Sequence, residues 1–263
     1  MKKIREVISD GMHDTSRLLF PQLCLLCGSP SPKHCHFCVS CELRLNASVP
    51  MMSNACRQCG MPISENVACK TCEEFEIPVD DVFAMWAYRE EVCDAVVASK
   101  FGHHRALAAE LGDRLADVIL KRIDVQSPNL HKIDAVVPVP SHRRRTSLRG
   151  GSGVAVIAET IAHRLRIPPI QPLRLTRAIK KQAWLDDQQR QENVRDAFGP
   201  TRFYGLLARA VNSSSVAGRH ILLVDDVLTT GATAGEVAST LRKLGAARIT
   251  LAVVARSIRQ PFS

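Results

Sequence analysis

The stretch Ile221-Leu222-Leu223-Val224-Asp225-Asp226-Val227-Leu228-Thr229-Thr230-Gly231-Ala232-Thr233 constrains the fold of this chain more than any other. Its apolar run has no polar interruption, which reads as a central strand covered on both faces, the habit of parallel sheets. The run ends in two carboxylates, then in small hydroxyl residues around a glycine, just before a helix expected from Ala234. In open α/β sheets, ligands bind at the carboxyl ends of the strands. Gly231 permits a tight turn, and Thr229, Thr230, Gly231, Ala232 and Thr233 offer backbone N–H groups and hydroxyls as a nest for a phosphate at the positive end of that helix. Asp225 and Asp226 disfavour an anion, so they face ribose hydroxyls or a divalent metal. This order of residues builds a site for a phosphorylated sugar. An apolar strand ending in an acid also occurs in nucleotide hydrolases, but those require a Gly-Lys-Ser/Thr loop, and the chain has no Gly-Lys pair.

At 263 residues the chain accommodates one ordinary α/β domain and a small appended module. A formal net charge of +9 suits anionic partners without choosing between pyrophosphate, nucleotide and nucleic acid. The amino-terminal segment is broken by Asp10, His13, Asp14 and Arg17, unlike a secretory signal. No segment approaches the roughly 18 apolar residues of a membrane span. A soluble, cytoplasmic protein is therefore expected, and its ten cysteines speak for metal rather than disulfides.

Cysteine pairs separated by two residues stand at Cys24/Cys27, Cys38/Cys41, Cys56/Cys59 and Cys69/Cys72. Each pair is a knuckle whose thiolates reach one ion, and two knuckles close a tetrahedral zinc site with no open position for catalysis. The spacing suits two small ribbons, Cys24/Cys27/Cys38/Cys41 and Cys56/Cys59/Cys69/Cys72, and is equally compatible with an interleaved pairing. About two structural zinc ions are expected, each supplying on the order of 10 kcal/mol of folding free energy. Without zinc this part should be disordered. Cys35, flanked by His34 and His36, competes for a place among the ligands, while Cys93 lies in a helical apolar pattern and reads as a buried small hydrophobe.

After the Ile77-Pro78 neighbourhood the cysteine pairs vanish and strands alternate with helices, so the expected domains are 1–77 and 78–263. Strands are expected at Asp81 to Tyr88, Ile133 to Val139, Ile221 to Val224 and Arg248 to Val254. Helices are expected at Glu90 to Ser99, Ala106 to Arg122, Val154 to Leu165, Asp186 to Arg195 and Ala234 to Leu244, with Gly245 as the last one's cap. The fold class is α/β, a largely parallel sheet flanked by helices. The loop after the second strand carries Arg143, Arg144, Arg145 and Arg149, which suit a pyrophosphate beside magnesium or, alternatively, nucleic-acid phosphate.

The string from Asp225 to Thr233 closely resembles the phosphoribosyl pyrophosphate (PRPP) motif of type I phosphoribosyltransferases. That resemblance implies that Asp225 and Asp226 hold the ribose diol and that the Thr229 to Thr233 loop holds the 5′-phosphate. Purine-salvage members usually carry an aspartate where this chain has Thr229. Together with Leu19-Phe20-Pro21, Cys24-Leu25-Leu26-Cys27-Gly28, the other cysteine pairs, Lys100-Phe101, Val137-Pro138-Val139-Pro140, His142, Arg149-Gly150, Gln182, Leu185, Arg190 and Asn193-Val194-Arg195, it resembles the ComF/GntX family over nearly the whole chain. Such proteins join a double zinc ribbon to a type I phosphoribosyltransferase-like domain and are associated with DNA uptake, natural transformation or DNA utilisation. The resemblance implies PRPP with magnesium as ligand, Lys100 at its pyrophosphate, and single-stranded DNA and DNA-uptake or recombination proteins as partners. One departure stands out: Gly151-Ser152-Gly153 occupies the place of the family's usual Phe-Asn-Gln.

Two functions fit these features. In one, the protein is a binding module of DNA uptake with a PRPP site. In the other it is a phosphoribosyltransferase, in which an amine or base nitrogen attacks ribose C1 as pyrophosphate leaves, with Arg144, Arg145, Arg149 and Lys100 stabilising the leaving group. The sequence names no general base and no acceptor.

Overall fold

The computed structural model describes residues 22–64, 68–74, 77–126, 133–141, 151–179, 187–202, 204 and 215–258. Two compact units divide the chain, Met1–Ala47 and Ser48–Ser263. The described part of the first is a turn around Cys24 to Gly28 followed by α1 (Val39–Asn46).

The second unit opens with α2 (Val49–Met52), a turn around Cys56 to Gly60, and α3 (Lys70–Glu74). There follow β1 (Asp81–Ala87), α4 (Glu90–Ser99), a short 3-10 turn, α5 (Arg105–Gln126), β2 (Ala135–Pro138) and α6 (Gly153–Leu165). The chain continues through β3 (Leu173–Leu175), α7 (Asp187–Val194), β4 (Phe198–Pro200), β5 (His220–Leu228), α8 (Ala232–Lys243) and β6 (Arg248–Arg256). Four of the described strands pair in parallel in the order β1-β6-β5-β2, and β3 pairs antiparallel with β4.

Both faces of the parallel sheet are covered, which explains its unbroken apolar strands. Ala135, Val137, Ile221, Leu223, Ile249, Leu251 and Val253 share one core with Val237, Ala238 and Leu241 of α8. Alternate strand residues point the other way, toward the side where α5 and α6 pack on the sheet and on each other. Met52, Ala55, Ile77 and Val79 belong to the α8 side of the core, so the second cysteine segment is built into the sheet domain.

β5 is longer than the apolar run suggests, carrying Asp225 and Asp226 inside the strand as far as Leu228. The reason is β6, which reaches Arg256 and supplies ladder partners for Val227 and Leu228. Only Thr229, Thr230 and Gly231 separate β5 from α8, and Gly231 makes the turn with φ of 83°, where a side chain would be strained.

Candidate functional site

Because β1, β2, β5 and β6 run in parallel, the residues at their carboxyl ends gather at one edge. A cleft of about 370 Å³ opens there, lined among others by Tyr88 after β1, Ser141 after β2, and Asp225, Asp226, Thr229, Gly231 and Thr233 of the β5–α8 unit. Its volume lies within the roughly 300–1,000 Å³ of small-molecule sites. Of the expected phosphate loop, Thr230 and Ala232 stay out of the lining: the Thr230 hydroxyl instead accepts from the Ala232 N–H at 3.3 Å.

Two helix N-termini converge on this cleft. Gly231 precedes α8 with no side-chain cap, and Gly231, Thr233 and Ala234 line the wall. Gly151, Ser152, Gly153 and Val154 bring the start of α6 to it, with Ser152 capping through the Ala155 N–H. Each terminus carries roughly half a positive charge. Gly153 is required by geometry, since a Cβ there would lie 2.2 Å from the Ser99 carbonyl oxygen. The turn at the end of α4 thus occupies the space above α6, and it delivers Lys100 into the cleft.

Lys100 Nζ lies 3.0 Å from Asp226 Oδ2. Burial pulls the Lys100 pKa down, but the charge and hydrogen bond of Asp226 together with the charges of Asp225 and Tyr88 outweigh it and leave the ammonium above its ordinary value. Asp225 goes the other way. Burial, then the adjacent Asp226 charge, push its carboxyl up to about 8, although it accepts from the Asp226 N–H at 2.9 Å. The Tyr88 phenol is also raised, by burial first and then by Cys93. Cys93, expected to be buried, is half-buried, and burial pushes its thiol up. The cleft's remaining wall includes Leu175 and Ile179. Arg144, Arg145 and Arg149 lie outside the described residues.

The cysteine segments repeat one local device. Gly28 N–H donates to the Cys24 carbonyl and Gly60 N–H to the Cys56 carbonyl, and both glycines are left-handed, with φ of 73° and 71°. Each turn presents its two thiols toward a second pair, giving the sets Cys24/Cys27/Cys38/Cys41 and Cys56/Cys59/Cys69/Cys72, whose sulfurs lie within 4.8 Å of one another. The closest sulfur pairs are 3.4–3.6 Å apart. Four sulfurs at Zn–S distances of about 2.3 Å would be spaced by about 3.8 Å, so both tetrads fit zinc. The interleaved pairing is excluded, and Cys35 stands exposed outside either set. Burial pushes the Cys41 and Cys59 thiols up to about 12, and neighbouring thiols, Cys27 for Cys41 and Cys69 for Cys59, add to the rise. Cys27 is held at about 6, chiefly by the Ser29 hydroxyl.

Residues 15–73 match the double zinc ribbon domain family, and residues 148–261 match the phosphoribosyl transferase domain family. Similar proteins include DNA utilization protein YhgH of Salmonella typhimurium, 28% identical over 92% of this chain and 100% of the relative. Competence protein F of Haemophilus influenzae is 26% identical over 77% of this chain and 84% of that protein. Both domain matches and both relatives fit the ComF family, which the chain resembles. Its fold is that of a type I phosphoribosyltransferase with a parallel sheet flanked by helices, joined to zinc ribbons. Among solved structures, an adenine phosphoribosyltransferase is 17% identical, covering 56% of this chain and 70% of that one, with a TM-score of 0.34. No helix among the described residues is long and apolar enough to cross a membrane.

Sequence reasoning missed Tyr88 and Ser141 as cleft residues. The signal for Tyr88 and Ser141 was present: each follows a buried strand at the end where α/β sheets bind ligands.

Proposed function

We propose that the cleft binds PRPP with magnesium and that the protein serves DNA uptake or DNA utilisation, the roles in the names of its relatives. One observation carries the ligand assignment: two helix N-termini flank a pair of carboxylates within one cleft. PRPP has the matching order, an anion at each end of an uncharged diol. Asp225 and Asp226 accept from the ribose hydroxyls, the α8 terminus with Thr229 and Thr233 takes the 5′-phosphate, and the α6 terminus takes the pyrophosphate. Lys100, Arg144, Arg145 and Arg149 supply cations for that pyrophosphate, and magnesium accompanies it. In this reading residues 1–77 act as the ribbon module, engaging single-stranded DNA or recombination proteins, and residues 78–263 as the sugar-phosphate domain.

Transfer of phosphoribose to an amine or base is the second reading. It draws on Leu175 and Ile179, an apolar wall that no part of PRPP needs and that an acceptor ring would use.

Calorimetry with PRPP and magnesium tests the site. The wild type binds, and the Asp225→Asn/Asp226→Asn double variant loses at least about tenfold in affinity, the equivalent of one charge-assisted hydrogen bond. Undiminished binding by the double variant would remove the carboxylates from the site. Pyrophosphate release with nucleobases or DNA fragments separates transferase from binding module.

A further inference from the structure

Arg256 closes β6 at the same edge as the cleft, 4% exposed and absent from the cleft wall. Its guanidinium joins two places far apart in sequence. Nε donates to the Cys59 carbonyl at 2.8 Å. Nη1 donates to the Leu228 carbonyl at 2.9 Å, to the Thr229 carbonyl, and to the Ser257 carbonyl at 3.0 Å. Cys59 is a sulfur ligand of the second tetrad, and Thr229 begins the phosphate loop.

The fit around this cation is close on the ribbon side. A Cβ at Gly60 would lie 3.0 Å from Val82 Cγ1, 3.4 Å from Ala84 Cβ and 3.6 Å from Arg256 Cδ. The Cys56–Gly60 turn therefore rests directly on β1 and on the stem of Arg256. Four carbonyl oxygens converge on one buried fork; Leu228 also accepts from the Ser257 N–H, but the Cys59 and Thr229 carbonyls are drawn together through the guanidinium. Only arginine spans them, because its donors are fixed in a planar fork while a lysine ammonium is a single point.

We infer that Arg256 is a positioning residue coupling the Cys56/Cys59/Cys69/Cys72 tetrad to the phosphate loop, so that zinc at the tetrad and PRPP at the cleft strengthen each other's binding. The inference rests on the PRPP reading above. Metal at the tetrad fixes the turn that aims the Cys59 carbonyl; that carbonyl holds the guanidinium, which holds the Leu228 and Thr229 carbonyls and with them the direction of the loop's N–H groups. Linkage makes the effect reciprocal.

The test uses the zinc-loaded full chain, a chelator in excess, and cysteine alkylation resolved by peptide so that each tetrad is followed separately. Saturating PRPP with magnesium slows zinc loss from the second tetrad by about tenfold, within the usual range of coupling between sites. The first tetrad is unaffected and controls for zinc taken up by the pyrophosphate. Arg256→Met abolishes the slowing, and Arg256→Lys restores part of it. Equal release from the second tetrad with and without bound PRPP overturns the inference while leaving PRPP binding intact, and this arm needs no variant. Slowing that persists in a folded Arg256→Met protein overturns it as well. Absence of any PRPP binding to the wild type defeats the PRPP reading and this inference with it.

Discussion

Asp225 is a carboxyl group whose surroundings favour its proton. Its pKa of about 8 lies far above the unfolded value near 3.9. The stabilisation that comes with this shift is fully present below the unfolded value and is lost as pH rises through the folded one. PRPP reverses the preference, because the ribose hydroxyls seek an acceptor. Affinity for PRPP with magnesium should rise between about pH 6 and pH 9, with uptake accompanied by release of up to about one proton. Calorimetry in buffers of different ionisation enthalpy measures both, and Asp225→Asn flattens the profile. A flat wild-type profile would contradict the protonated state. Lys100 lowers the Asp225 pKa, so Lys100→Met moves the profile to higher pH. The affinity cost near neutrality is about tenfold for each unit of displacement.

At the scale of elements, the start of α6 explains the departure from the family's Phe-Asn-Gln. Read along the chain, Gly151-Ser152-Gly153 is the loss of an aromatic and an amide. In the fold, Gly153 is what lets the Ser99-Lys100 turn sit against α6. Gly153→Ala sets a Cβ against a backbone oxygen, which cannot rotate away, and should cost about 1–3 kcal/mol. Thermal melting reads this loss, and PRPP affinity falls with it as Lys100 is displaced. An unchanged melting temperature would mean that the two turns separate freely. β5 teaches a related lesson, since its apolar run marks a buried strand but its true end is set by the length of β6.

For the whole molecule, composition changes where the cysteine pairs end, near Ile77-Pro78, whereas packing groups residues 48–263 together. The two tetrads use the same glycine turn, yet only the second shares a unit with the sheet. There, Arg57 makes a bidentate pair with buried Asp81 at 2.9 Å, and Arg57's carbonyl accepts from the Val82 N–H. Purified protein should carry about two zinc ions per chain. After chelation, hydrogen exchange should become complete over residues 22–47, whose described part holds few buried apolar side chains besides Phe37 and Leu45. Residues 48–64 should keep partial protection through Met52, Ala55 and the Arg57–Asp81 pair. Equal loss in both segments would show that metal alone holds the second tetrad.

The amino-acid sequence by itself determined the features that neighbouring residues settle among themselves: the buried run, the carboxylates, the glycine turn and the cysteine knuckles. Each depends on spacing of a few residues, so local sterics and ligand reach are enough to read it. Tertiary structure alone decided which knuckles share an ion, why glycine stands at 153, and what surrounds Asp225. It also decided the place of Arg256, whose partners Leu228 and Cys59 lie 28 and 197 positions away. Parallel pairing brings the ends of β1, β5 and β6 to one edge, and no local pattern encodes which distant backbone carbonyls will meet there.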